Sequence, residues 1–305
     1  MNIEPTKIKQ ILIFTFFNLL FFVGCEDDSN NSISPIPDPD PDIYVAGYEF
    51  TGYTSIAKYW KNGTPVALSD STDNTYAHSI YVSDGDVYIA GYESNGSNDV
   101  AKYWKNGVAT ELTDGSKDAN ANAIFVSDGD IHIAGSEGDG YGNPTIAKYW
   151  KNGMSTDLTD GTTWAAATSI FVDGNDVYVA GFEWIGYTAV AKYWKNGTPV
   201  TISNSAIAHS IFVSDGDVYS SGVWNDGNED VAVYWKNGTA TLLSDGKEEA
   251  FAYSIFVHND IVYTAGTEYN GSNDVANYWV NDTPVNLTDG THGADAYSIF
   301  VVTPE

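Results

Sequence analysis

Arginine is missing from this chain altogether. All 13 basic residues are lysines, set against 41 aspartates and glutamates, and the formal net charge is −28. That balance excludes nucleic acid as a partner, because phosphates must be met by basic patches. It also disfavours direct adsorption to an anionic membrane surface. Cysteine is almost absent too. Cys25 stands alone, so no intrachain disulfide forms and the fold must rest on its core. The main apolar run, Ile11 to Val23, has about 13 residues and is too short to cross a bilayer as a helix. No segment shows helical periodicity, and zinc spacings, a nucleophile elbow and a phosphate loop are all missing.

What the chain has in abundance is repetition. Tyr-Trp-Lys-Asn-Gly begins at Tyr59, Tyr103, Tyr149, Tyr193 and Tyr234, and a degenerate sixth copy runs from Tyr278 to Asp282. A period of about 44 residues marks an architecture in which each unit is one supersecondary element. Each unit holds four short runs rich in β-branched and aromatic residues, and in the second copy they begin at Asp86, Val100, Val108 and Ala123. Asn-Gly and Asp-Gly pairs separate them at two of the four connections and predict hairpin turns. The other two connections are longer and vary from copy to copy.

In a four-stranded meander, alternate connections lie at opposite ends of the sheet. The tight turns therefore gather on one face of the assembly, and the long variable loops on the other. The first unit begins at Ile43-Tyr44-Val45, without the Ser-Ile-Phe-Val strand that leads the others, while the chain closes on Ser298-Ile299-Phe300-Val301. This phase predicts an all-β fold: a six-bladed β-propeller of four-stranded antiparallel blades, closed by pairing of the N- and C-terminal segments in one blade.

The N-terminal region reads as three pieces: a leader over residues 1–24, a tether over 25–41 and the propeller over 42–305. Lys7 and Lys9 precede the apolar run, which ends in Phe22-Val23-Gly24-Cys25. This resembles the lipobox of bacterial lipoproteins. The resemblance implies that Cys25 becomes the mature N-terminus and carries acyl chains such as palmitate. Glu26-Asp27-Asp28 resembles the signal that sends some Gram-negative lipoproteins to the outer cell surface, which implies an outer-membrane protein facing the exterior. The Pro-Asp alternation of residues 35–42 predicts a stiff, self-repelling spacer, and it lacks the Gly and terminal Glu of an EF-hand loop. From Asp42 to Val302 the chain resembles bacterial surface lipoproteins built from β-propeller repeats.

The repeated residues read as scaffold. Trp60, Trp104, Trp150, Trp194, Trp235 and Trp279 each precede a tight turn and belong to the core. Glu49, Glu93, Glu137 and Glu183 are matched by Lys58, Lys102, Lys148 and Lys192 one strand on, and the fifth copy replaces both with Trp224 and Val233. Joint replacement predicts a cross-strand ion pair. The copy-specific residues are the ligand-binding candidates: the loop aromatics Phe50, Tyr53, Trp164, Trp184, Tyr187 and Trp224, and the six residues entering the innermost strands, His78, Asn122, Thr168, His209, Tyr253 and Tyr297.

Six-bladed sialidases resemble the expected architecture, but the resemblance implies arginines on the substrate carboxylate, and this chain has none. A calcium-dependent lactonase type is also similar and implies an axial Ca2+; Asn122, His78 and His209 stand where such ligands belong. The favoured reading is a monomeric, lipid-anchored, non-catalytic binding or adhesion module, contacting an extracellular glycan or protein with its long-loop face. A calcium-dependent lactonase- or glycosidase-like hydrolase and a purely structural subunit of a surface complex remain as alternatives.

Overall fold

The computed structural model describes residues 42–69, 72–140 and 143–302. The leader, Cys25 and the whole tether lie outside the described residues. Every described element is a β-strand. The first blade holds β1 (Tyr44–Phe50), β2 (Ser55–Lys61) and β3 (Thr64–Ala67). The second holds β4 (Thr75–Ser83), β5 (Asp86–Ser94), β6 (Asp99–Lys105) and β7 (Val108–Glu111). The third holds β8 (Asp118–Ser127), β9 (Asp130–Gly138), β10 (Thr145–Lys151) and β11 (Met154–Asp157). The fourth holds β12 (Ala165–Asp173), β13 (Asp176–Ile185), β14 (Thr188–Lys195) and β15 (Thr198–Asn204). The fifth holds β16 (Ala206–Ser214), β17 (Asp217–Asn225), β18 (Asp230–Lys236) and β19 (Thr239–Leu242). The sixth holds β20 (Ala250–His258), β21 (Ile261–Tyr269), β22 (Asp274–Val280) and β23 (Thr283–Asn286). Each sheet is an antiparallel meander in chain order, and the chain is a six-bladed β-propeller.

The pentapeptide explains itself in this setting. Its Trp is buried between blades: Trp104 packs on Ala57 and Leu68 of the preceding blade, and Trp150 on Tyr88 and Ala101. Burying one such indole contributes roughly 4–6 kcal/mol of gross apolar stabilisation. Its Lys reaches the Asp that opens the neighbouring strand, as Lys105 does Asp86 at 2.9 Å. Its Asn adopts φ near +51°, which an Asn tolerates. The Asn106 amide donates to Asp86 at 2.8 Å while its carbonyl oxygen accepts the Val87 N–H at 2.9 Å. In the sixth blade Lys and Asp are replaced together, by Val280 and Ile261.

The innermost strands are stapled blade to blade. Ser79 Oγ accepts the N–H of Ile124 at 3.2 Å, and Ser169, Ser210 and Ser254 repeat the bond to Ile211, Ile255 and Ile299. Beside them runs a file of rings, Tyr81, Phe125, Phe171, Phe212, Phe256 and Phe300, with successive centroids 4.6–5.4 Å apart. The Ser-Ile-Phe-Val repeat is thus the axial seam of the ring.

The C-terminal segment is placed but forms no strand. Ile299 and Phe300 seat the C-terminal segment on the sixth blade, yet no ladder joins it to β1, and the first blade has three strands. Val45 is consequently 50% exposed, where its counterpart Ile89 is fully buried. Trp60 is only half-buried and Leu287 is exposed. The expected pairing of the two chain ends is the feature of the architecture that departs from the sequence reading. Its physical reason is connectivity: every other innermost strand is tied to its partner by a two-residue turn, and here no turn pays the entropy of bringing the strands together.

Candidate ligand cavity on the loop face

Two of the predicted groups have structural partners. Glu49, Glu93, Glu137 and Glu183 pair with Lys58, Lys102, Lys148 and Lys192, and Glu268 accepts from Asn277 at 3.4 Å in the sixth blade. The residues entering the innermost strands are bulge residues: register shifts fall at His78, Asn122, Thr168, His209 and Tyr253. A bulge re-aims its side chain, and here it turns the side chain toward the next blade. Asn122 donates to the Ala167 carbonyl at 2.9 Å, Thr168 to Ala208 at 2.8 Å, and His209 Nδ1 lies 3.3 Å from the Ala252 oxygen. His78 makes the equivalent bond to Ala121. Desolvation by the surrounding protein lowers the pKa of His78 and of His209, so both are neutral at pH 7. No group of three or more His, Cys, Asp or Glu side chains that could hold a metal ion occurs among the described residues.

Symmetry breaks between the fourth and fifth blades. Other blades are joined by six or seven residues, such as 112–117 or 158–164, and these loops are pinned to the neighbouring hairpin, as when Asn95 and Asn98 both donate to the Gly115 carbonyl at 3.0 Å. Between β15 and β16 only Ser205 remains. It takes φ +53°, in the left-handed region, and among the described residues it is the one non-glycine residue there that is neither Asn nor Asp. The hairpin β13–β14 is likewise cut to a two-residue turn, Gly186-Tyr187, so it stands out as a finger.

Removing the loop leaves a cavity of about 430 Å³. The finger contributes Trp184 and Tyr187, the fifth blade Ser205, His209, Asn225 and Asp230, and the sixth blade Phe251. Trp184 is 37% and Tyr187 100% exposed, so the aromatic wall is open to solvent. Asn225 donates to Asp230 Oδ1 at 2.9 Å, which orients the carboxylate. Asp230 is the only acidic side chain of the lining, and no lysine is present there. A second hollow of about 380 Å³ adjoins it, formed by Trp164, Trp184 and Gly186.

Of the sequence candidates, the structure therefore brings Trp184, Tyr187 and His209 together, with Trp164 next door. Tyr253 joins them by stacking on Phe251 and His209, and Tyr297 packs on Tyr253 with its ring tilted by 39°. Trp224 instead packs against the core around Ala206 and Trp235. Phe50 and Tyr53 project from the first blade, exposed and outside this cavity. His78 sits beside a separate cluster of Tyr48, Tyr76 and Tyr92. Ser205, Asn225, Asp230 and Phe251 escaped the sequence reading. Their signal was spacing: Tyr193 and Tyr234 are 41 residues apart, where the other intervals are 44 or 46.

The chain is thus a β-propeller with an asymmetric, aromatic-walled cavity on its loop face. No protein-family model and no curated protein matches it. It is similar to the solved acylaminoacyl peptidase of Pyrococcus horikoshii, at 13% identity and a TM-score of 0.50 over 81% of this chain, and spans 43% of that protein. It is also similar to an exo-1,5-alpha-L-arabinanase from a bovine ruminal metagenomic library, at 12% identity and a TM-score of 0.37, covering 72% of this chain and 98% of the other. At such identities the likeness concerns the fold alone.

Proposed function

We propose that the protein is a non-catalytic binding module, held at the outer membrane by lipid on Cys25 and facing the cell exterior, whose loop face takes an extracellular glycan. The observation that carries this reading is the cavity between the fourth and fifth blades. A propeller needs no missing loop to fold, and this one turns the exposed Trp184 and Tyr187 and the half-buried Phe251 toward a cavity with an oriented carboxylate. Aromatic faces with a few placed polar groups suit the apolar faces and hydroxyl edges of sugars. The hydrolase reading is less well supported, because Asn122, Thr168, His78 and His209 are committed to carbonyls of the next blade.

Glycan-array binding that is lost in a Trp184→Ala, Phe251→Ala variant still unfolding cooperatively is the expected outcome. Absence of glycan binding, or binding that survives the double variant, refutes the reading. For the anchor, incorporation of a palmitate analogue into the native chain but not into Cys25→Ser is expected, with protease accessibility on intact cells.

A further inference from the structure

We infer that the ligand is an uncharged polysaccharide chain lying across the loop face over several stacking stations, rather than a single sugar. The inference rests on the glycan reading above and adds the form and charge of the ligand.

The first argument is continuity. Trp184 lines both the hollow with Trp164 and the main cavity, so the two are one track. On the far side of the cavity Phe251 stands 6.0 Å from Tyr253 with the rings within 3° of parallel, and Tyr253 lies 5.1 Å from Tyr297. Aromatic surface therefore runs from the finger of the fourth blade, across the fifth, to the axial edge of the sixth. Trp164 is 43% exposed and Tyr297 more so, so both ends of the track are open. A single sugar would use one station and leave the others in water.

The second argument is charge. The lining carries the Asp230 carboxylate and no lysine, the Tyr297 hydroxyl donates to Asp295 at 3.0 Å, and the chain as a whole is at −28. A uronate or sulfate would meet like charge at both places with no cation to compensate. Hydroxyls can donate to the carboxylates without that penalty.

The test is calorimetric titration of the protein with neutral β-glucan, xylan and mannan oligosaccharides of two and six units, and with oligogalacturonate and oligoalginate. At least one neutral series is expected to bind, the hexamer about tenfold or more tighter than the dimer. Trp164→Ala should abolish that gain with length, while Phe251→Ala should weaken both dimer and hexamer. Equal affinity for dimer and hexamer, or binding confined to the anionic oligomers, overturns this inference but leaves the glycan reading standing. Failure of all saccharides to bind removes both.

Discussion

The side-chain amide of Asn122 donates to the main-chain carbonyl of Ala167, 2.9 Å away and on the innermost strand of the next blade. The bond spans 45 residues of sequence and joins positions one repeat apart. Thr168 does the same to Ala208 with a different functional group. Asn122, Thr168 and His209 thus serve one geometric task at the ring's axis, and these residues, which looked like parts of a divergent site, are alternative solutions to stapling neighbours.

Asn122→Ala and Thr168→Val are accordingly expected to destabilise the fold, each by about 1 kcal/mol, by stranding a half-buried carbonyl. Equilibrium unfolding in urea measures this directly. Glycan affinity should be unchanged in both variants, whereas an axial site would lose it.

The seam between the sixth and first blades is tested by glycine. A Cβ on Gly91 would lie 1.9 Å from the Tyr76 carbonyl oxygen, and Gly135 and Gly266 are equally closed in. Gly47 meets nothing nearer than the Trp60 ring at 3.4 Å. Gly91→Ala should therefore cost about 3 kcal/mol or more through backbone displacement, while Gly47→Ala should be close to neutral. Comparable losses at both positions would mean that a strand lies against β1 in solution.

His209 gives a pH dependence with a definite sign. Burial lowers its pKa below the ordinary 6.5, so between the two values the unfolded chain holds more protons than the folded one, and stability falls as pH falls. Comparing unfolding of the native protein with His209→Gln from pH 7.5 to 5.5 isolates the contribution. The native protein should lose stability relative to the variant over this range; a constant difference would contradict the burial.

The tight-turn face offers a gain instead of a loss. Restoring Asp at Ile261 and Lys at Val280 rebuilds in the sixth blade the pair that the other five possess. The double variant should melt slightly higher than either single one, and the advantage should shrink in 1 M salt as exposed charges are screened. Thermal unfolding at two salt concentrations decides it.

The scaffold was legible because it is local and repeated. Positive-φ Asn and Asp at the turns and the joint loss of Glu and Lys in the fifth copy each report a contact within one blade, and the Trp before Lys-Asn-Gly reports the same contact between neighbouring blades in copy after copy. The staples were not legible, since nothing in an isolated Asn122 or Thr168 announces a carbonyl one repeat away. Trp224 misled for a related reason: it replaces the Glu of an ion pair, and with Val233 in place of the Lys and Val231 directly opposite, the hydrophobic effect draws it toward the core instead of the solvent. The cavity was written in an absence, the shortened link at Ser205, and a missing loop has no residues to notice. Phe251 sits on an ordinary strand and acquires its role only because nothing covers it.

The three-stranded first blade also decides how the molecule bears load. A pull entering from the N-terminal side through Asp42 reaches β1 first, the strand with one hydrogen-bonded neighbour where β5, β9, β13, β17 and β21 have two. Under shear or tension this blade peels before any other, while the cavity lies three blades further along the chain. The ring can yield at its margin with the cavity left intact.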